Sequence, residues 1–176
     1  MPKITLIFAL AALLTAGVAA AEETITIRMF SIDSQGAGEP LGTITAEESP
    51  FGTIFRPELE GLSTGLHGFH IHKNPSCEPA EKNGQTVAGL AAGGHYDPGA
   101  TGVHEGPFGN GHLGDLPALY FDPSGRANHP VLAPRVQIAD LKGRSIIIHA
   151  GGDNYSDQPK PLGGGGPRVA CGVVKP

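Results

Sequence analysis

The sequence predicts an all-β fold, an antiparallel β-sandwich or barrel of about eight strands carrying two long functional loops. Three observations predict it. Glycine (27) and proline (16) punctuate 176 residues that show little helical periodicity. Short runs of alternating apolar and polar residues recur between those turn signals. Two long segments, Lys73 to Pro117 and Ala150 to Pro167, break the rhythm. Structureless stretches beyond about 15 residues inside a compact domain are usually functional or disordered, and these two are bracketed by histidine or cysteine.

The first 21 residues stand apart from the fold. Lys3 gives a positive start, Ile4 to Val18 an apolar stretch, and Ala19-Ala20-Ala21 a small-residue cleavage site, which together read as a secretory signal peptide. A membrane anchor would need about 20 apolar residues and a stop-transfer flank. Residues 1–21 are therefore expected to be removed, leaving 22–176 as one exported domain with no membrane span. The chain has 12 basic and 17 acidic residues, for a net charge of −5, and Lys3 is the only charge in the leader. Such a balance excludes a basic nucleic-acid footprint, and an anionic substrate would need local positive charge to approach.

Thr24 to Phe30 alternates, with Ile25, Ile27 and Met29 on one face and Thr24, Thr26 and Arg28 on the other. Ser31 to Pro40 reads as a loop, Leu41 to Glu47 as a second strand, and Gly52 to Pro57 as a third with proline at its end. Leu66 to His72 is a fourth. Ala118 to Asp122, Val131 to Pro134, Arg144 to His149 and Val169 to Val174 complete the set. The only helix-like patch is Glu81 to Ala92, which is weakly patterned. Cys77 and Cys171 are the two cysteines of an exported chain, so a disulfide is the default. It would close a loop of roughly 95 residues, worth about 4–5 kcal/mol in the chain-entropy model. Thiolate metal ligation is the weaker reading because histidines already supply nitrogen.

The chemistry concentrates between Gly94 and Asp115. His95, His104, His112 and Asp115 make a full tetrahedral donor set for Zn²⁺, in a stretch with too little apolar content to order itself. His70 and His72, at i and i+2 on a strand, leave the same face, while Phe69 and Ile71 leave the other toward the core. Two imidazoles on one pleated surface make half of the planar nitrogen site that Cu²⁺ prefers. His149 ends another apolar strand and offers a third. His67 alternates away from that pair and reads as core support. His129 reads as surface, and Asp97 and Glu105 are surplus to a four-ligand set.

These segments together resemble the copper–zinc superoxide dismutase family, bacterial periplasmic branch. The resemblance rests on Gly65-Leu66-His67-Gly68-Phe69-His70-Ile71-His72, on Gly93-Gly94-His95-Tyr96-Asp97-Pro98 and His104-Glu105-Gly106-Pro107, and on Gly111-His112-Leu113-Gly114-Asp115-Leu116-Pro117. It continues through Gly151-Gly152-Asp153-Asn154-Tyr155-Ser156-Asp157 to Arg168-Val169-Ala170-Cys171-Gly172, covering essentially the whole mature chain.

The resemblance implies an immunoglobulin-like Greek-key sandwich or barrel. It implies copper on His70, His72, His95 and His149, and zinc on His95, His104, His112 and Asp115, with His95 bridging the two. Asp153 would join His70 to His104 from behind, and Arg168 would guide superoxide anion to the copper, with His95 and Arg168 as the catalytic residues. Lys73 and Lys160 read as solvated. A periplasmic enzyme is implied, as a monomer or a homodimer. Two readings compete with it: a copper or zinc delivery module, which needs neither Arg168 nor a bridge, and a zinc hydrolase, for which the zinc set leaves no open position.

Overall fold

The computed structural model describes residues 23–176, so the expected signal segment lies outside the described residues. Among the described residues there are twelve strands: β1 (Thr24–Asp33), β2 (Gly36–Ser49), β3 (Gly52–Glu60), β4 (Gly65–His67), β5 (Phe69–His72), β6 (Ala80–Lys82), β7 (Gln85–Val87), β8 (Leu119–Phe121), β9 (Arg126–Ala127), β10 (Val131–Ala133), β11 (Arg144–His149) and β12 (Arg168–Val174). Eight of them form one antiparallel sheet in the order β10-β3-β2-β1-β12-β11-β5, with β9 also on β3. The all-β antiparallel expectation holds, as a curled half-barrel. The last strand lies beside the first. Among the described residues, no helix is long and apolar enough to cross a membrane.

Alternation builds the core. Ile27, Met29, Ile44, Phe55, Phe69, Ile71, Phe121, Ile146 and Ile148 point inward from successive strands and are essentially inaccessible to water. Phe55 meets Phe69 edge to face at 5.4 Å. The same alternation turns His70 and His72 out of this core on the opposite face of β5.

Several boundaries differ from expectation, each for a local reason. The expected loop Ser31 to Pro40 is mostly strand: β1 and β2 form a hairpin about Ser34-Gln35, with register shifts between Met29 and Phe30 and between Phe30 and Ile32. Strand β3 runs through Pro57 instead of ending there. Its far edge meets β10 at Thr53–Phe55 and β9 at Leu59–Glu60, so Pro57 falls in the gap between those partners, where no amide is required. The run Leu66 to His72 is divided at Gly68, with β4 pairing β8 and β5 pairing β11. The helix-like patch Glu81 to Ala92 is the hairpin β6–β7 followed by a single 3-10 turn at Leu90–Ala92. Asn83 (φ 54°) and Gly84 (φ 75°) form its turn, the dipeptide that two-residue hairpins select.

Candidate metal centre

Strand β5 has two edges, and both serve the site. On one, β11 pairs in register, setting Ile147 opposite His70 and Ser145 opposite His72. On the other lie two pieces of the long loop. Lys73 N donates to Gly94 O, Tyr96 N to Ile71 O, Ile71 N to Gly114 O, and Leu116 N to Phe69 O. His95 is thereby fixed opposite His72, and Asp115 opposite His70. His149 ends β11, and across the sheet its register partner is Arg168 on β12.

In each strand-borne histidine, one ring nitrogen faces an acceptor that can only accept. His70 Nε2 donates to Asp153 Oδ2 (2.7 Å), His72 Nδ1 to Gly93 O (2.9 Å) and His149 Nδ1 to Gly166 O (3.0 Å). Those bonds fix the proton, so the opposite nitrogen of each neutral ring carries a lone pair. His70 Nδ1, His72 Nε2, His149 Nε2 and His95 Nε2 are all buried without a hydrogen-bond partner. His70, His72, His95 and His149 also place donor atoms within 4.8 Å of one another. Buried lone pairs turned toward each other are costly unless a cation sits among them. The donor set fits a metal.

The second half centres on one oxygen. Asp115 Oδ1 lies 2.8 Å from His95 Nδ1, 3.0 Å from His104 Nδ1 and 3.3 Å from His112 Nδ1. Neighbouring donors in a tetrahedral zinc site are about 3.3 Å apart, given Zn–N and Zn–O distances near 2.0–2.1 Å. His95 thus belongs to both halves, with Nδ1 in one and Nε2 in the other. A mutually close set also forms from His70, His95, His104 and Asp115; His112, expected among the zinc ligands, stands just outside it. Asp153 joins the halves from behind, accepting from His70 through Oδ2 and from His104 Nε2 through Oδ1 (2.8 Å). Its side chain is wholly buried. Gly163 covers this carboxylate at φ 69°, where an added Cβ would come within 2.0 Å of Asp153 Oδ1.

Burial and charge act differently on the two halves. Burial first, then the neighbouring imidazoles, holds His70 and His72 well below the ordinary histidine range. Burial takes His149 down to about 4, despite the Gly166 carbonyl. For His104 burial pulls downward too, but hydrogen bonds to Asp115 and Asp153 prevail and raise it to about 9. Burial would raise the Asp115 carboxyl, yet bonds from His104 and His95 hold it well below the usual carboxylate range.

Arg168 is half-buried and donates to the carbonyls of Gly89 and Gly93. The Gly93 oxygen is therefore shared by Arg168 and His72. His67 is buried beneath the site, bridging His149 O (2.6 Å) and Ser63 O (2.9 Å). His129, Asp97, Glu105, Lys73 and Lys160 are at the surface, with Asp97 only half-buried. The expected disulfide is present: Cys77 and Cys171 are joined with Cα atoms 5.7 Å apart, across a sequence separation of 94.

Several supporting groups were not legible in the sequence. The Gly93 and Gly166 carbonyls carry no side-chain signature. Asp157 accepts from His104 N (2.9 Å), and Tyr155 Oη accepts from Ala118 N (3.0 Å), so both pin one long loop to the other. Both lie in the glycine-bounded run after Asp153, where a short polar motif was the only available signal.

Residues 41–174 match the family model described as copper/zinc superoxide dismutase (SODC). The superoxide dismutase [Cu-Zn] of Actinobacillus pleuropneumoniae is 55% identical over 155 residues, covering 87% of this chain and 82% of that relative. The Cu/Zn superoxide dismutase structure from Brucella abortus superposes with a TM-score of 0.86 at 51% identity, over 87% of this chain and 100% of that one. The solution structure of the monomeric copper, zinc superoxide dismutase from Salmonella enterica superposes with a TM-score of 0.78 at 54% identity, over 87% and 100%.

Proposed function

The chain belongs to the copper/zinc superoxide dismutase family, and from that premise we propose how its residues share the work of dismutation. It is an oxidoreductase that uses copper and zinc and turns two superoxide anions and two protons into dioxygen and hydrogen peroxide. His70 Nδ1 and the Nε2 atoms of His72, His149 and His95 would hold copper; His95 Nδ1, the Nδ1 atoms of His104 and His112, and Asp115 would hold zinc. The observation that carries this division is the set of buried, unpartnered nitrogens meeting between β5, β11 and the loop.

Copper held there would supply the chemistry that side chains lack, the capacity to accept an electron from one superoxide and return it to the next. The protein does the rest. Asp153, Gly93 O and Gly166 O fix the tautomers of His70, His72 and His149, so that lone pairs, not N–H groups, face the centre. His95 would move a proton: when its Nε2 is not holding the metal, that lone pair is free to carry a proton to the reduced oxygen, supplying one of the two that peroxide requires while solvent supplies the other. Arg168 draws in the anion. Its fork is anchored through Gly89 and Gly93, next to the His149 register position, and a guanidinium binds a small anion more directionally than an ammonium.

A metal-delivery module without catalysis is not favoured, since it would need neither a bridging His95 nor a guanidinium anchored on the carbonyl that also fixes His72. The leader and the disulfide support export to an oxidising compartment, the periplasm. Of the two subunit arrangements, the monomer has the support of the Salmonella enterica relative.

The test uses one preparation for metal content and turnover together. The His149→Gln variant, reconstituted with both metals, is expected to lose dismutation by more than the roughly 10- to 100-fold that removing an outer partner costs. Wild-type turnover in that variant would overturn the copper assignment.

A further inference from the structure

Arg135 has no part in the site described so far. Arg135 follows β10 by two residues and is half-buried, and among the described residues no carboxylate forms an ion pair with it. Its guanidinium faces only backbone oxygens. Nε donates to Pro107 O (3.1 Å), Nη1 to Gly111 O (3.1 Å), and Nη2 to both Gly106 O (3.1 Å) and His112 O (2.7 Å). Four carbonyls of a single loop thus meet one side chain.

The base of this contact is rigid. Val136, the next residue, is buried, and its carbonyl accepts from the fully buried Thr53 hydroxyl on β3 at 2.8 Å. Val136 N closes a turn onto Ala133 O. The far end is the segment Gly106 to His112, with Gly106, Pro107, Gly111 and His112 all buried. A glycine- and proline-rich loop has few donors of its own for buried carbonyls, and each one left unpaired would be costly. The His112 oxygen also accepts from Asp115 N (3.3 Å), so the guanidinium is one atom removed from the backbone of the carboxylate that centres the second half.

We propose that Arg135 is a positioning residue for zinc: its planar fork holds the 106–112 loop in the shape that presents His112 and Asp115 to the ion. The inference rests on assigning zinc to His95, His104, His112 and Asp115. Lysine cannot replace it, because an ammonium is a point donor that cannot span four separated oxygens. The strand-borne trio of His70, His72 and His149 makes no contact with this residue, so the effect is confined to one metal.

The experiment compares wild type, Arg135→Ala and Arg135→Lys for zinc and copper affinity, and for the visible spectrum of cobalt placed in the zinc position. Both variants are expected to bind zinc about 10- to 100-fold more weakly, the range known for partners behind a metal ligand. The cobalt bands should shift, copper affinity should stay put, and guanidinium ion at sub-denaturing concentration should restore zinc binding to Arg135→Ala where ammonium does not. Unchanged zinc affinity, equal loss of both metals, or no rescue by guanidinium would overturn the proposal. Should Arg135→Ala fail to fold, wild-type zinc affinity in Arg135→Lys would overturn it. A His112→Asn control separates the two layers: if it keeps zinc as tightly as wild type, the ligand assignment itself is wrong and the role of Arg135 falls with it.

Discussion

The two halves of the centre are built by different means. His70, His72 and His149 hang from paired strands, where register alone decides which face each imidazole takes. His104 and His112 come from a loop with no ladder of its own, held by borrowed contacts, Asp157 on His104 N, Asp153 on His104 Nε2 and Arg135 on four carbonyls, and only Asp115 beyond them is bonded onto the edge of β5. A sheet positions ligands through bonds it must make anyway. A loop has to be tied down residue by residue.

The strongest way to break this contrast is to remove the one group common to both halves. Asp153→Asn keeps the shape but offers one acceptor oxygen where the carboxylate offers two, so copper and zinc affinity should both fall, each by about 10- to 100-fold. Metal titrations in which only one affinity fell would mean that the halves are not coupled through this side chain. Stripping both metals sharpens the contrast next. Amide exchange should accelerate through 104–112 while the β5 and β11 amides stay protected; equal acceleration in both would erase the distinction.

Acidity should separate the halves in opposite directions. In metal-stripped protein, His149 has a folded-state pKa of about 4, below its unfolded value, so it costs stability as pH falls from about 6.5 toward 4. His104, raised to about 9, contributes stability that is complete below about 6.5 and is lost as pH rises toward 9. Thermal melts against pH should lose their acid limb in His149→Gln and their alkaline limb in His104→Gln. A smaller effect is expected at Thr53→Val, which strands the Val136 carbonyl at a cost of about 1–3 kcal/mol in denaturant unfolding and leaves copper binding untouched.

Legibility in the sequence followed the same divide. Imidazoles at i and i+2 on an apolar strand announce their shared face, and three histidines with an aspartate in a glycine-rich run announce a donor set. The choice of nitrogen was not visible, because it is made by the Gly93 and Gly166 carbonyls and by Asp153, all distant in sequence. Arg135 gave no signal, since a single arginine after a proline has no motif. In the run 81–92 the weak helical pattern yields to Asn83-Gly84, a turn dipeptide with two positive φ angles that sets a hairpin. Ser31 to Pro40 is the opposite case, a hairpin turn without the favoured dipeptide.

The glycine lying over Asp153 has a consequence for how this protein can vary. With less than a methyl group's clearance above the carboxylate, Gly163 acts as a roof tile one atom thick, tight enough to shut out solvent yet too thin to carry any substituent. Although it sits in a loop that would otherwise pass for a spacer, the position should be among the least tolerant of substitution in the chain. Even alanine there would prise the covering segment from the buried carboxylate and let water reach the one side chain that joins His70 to His104.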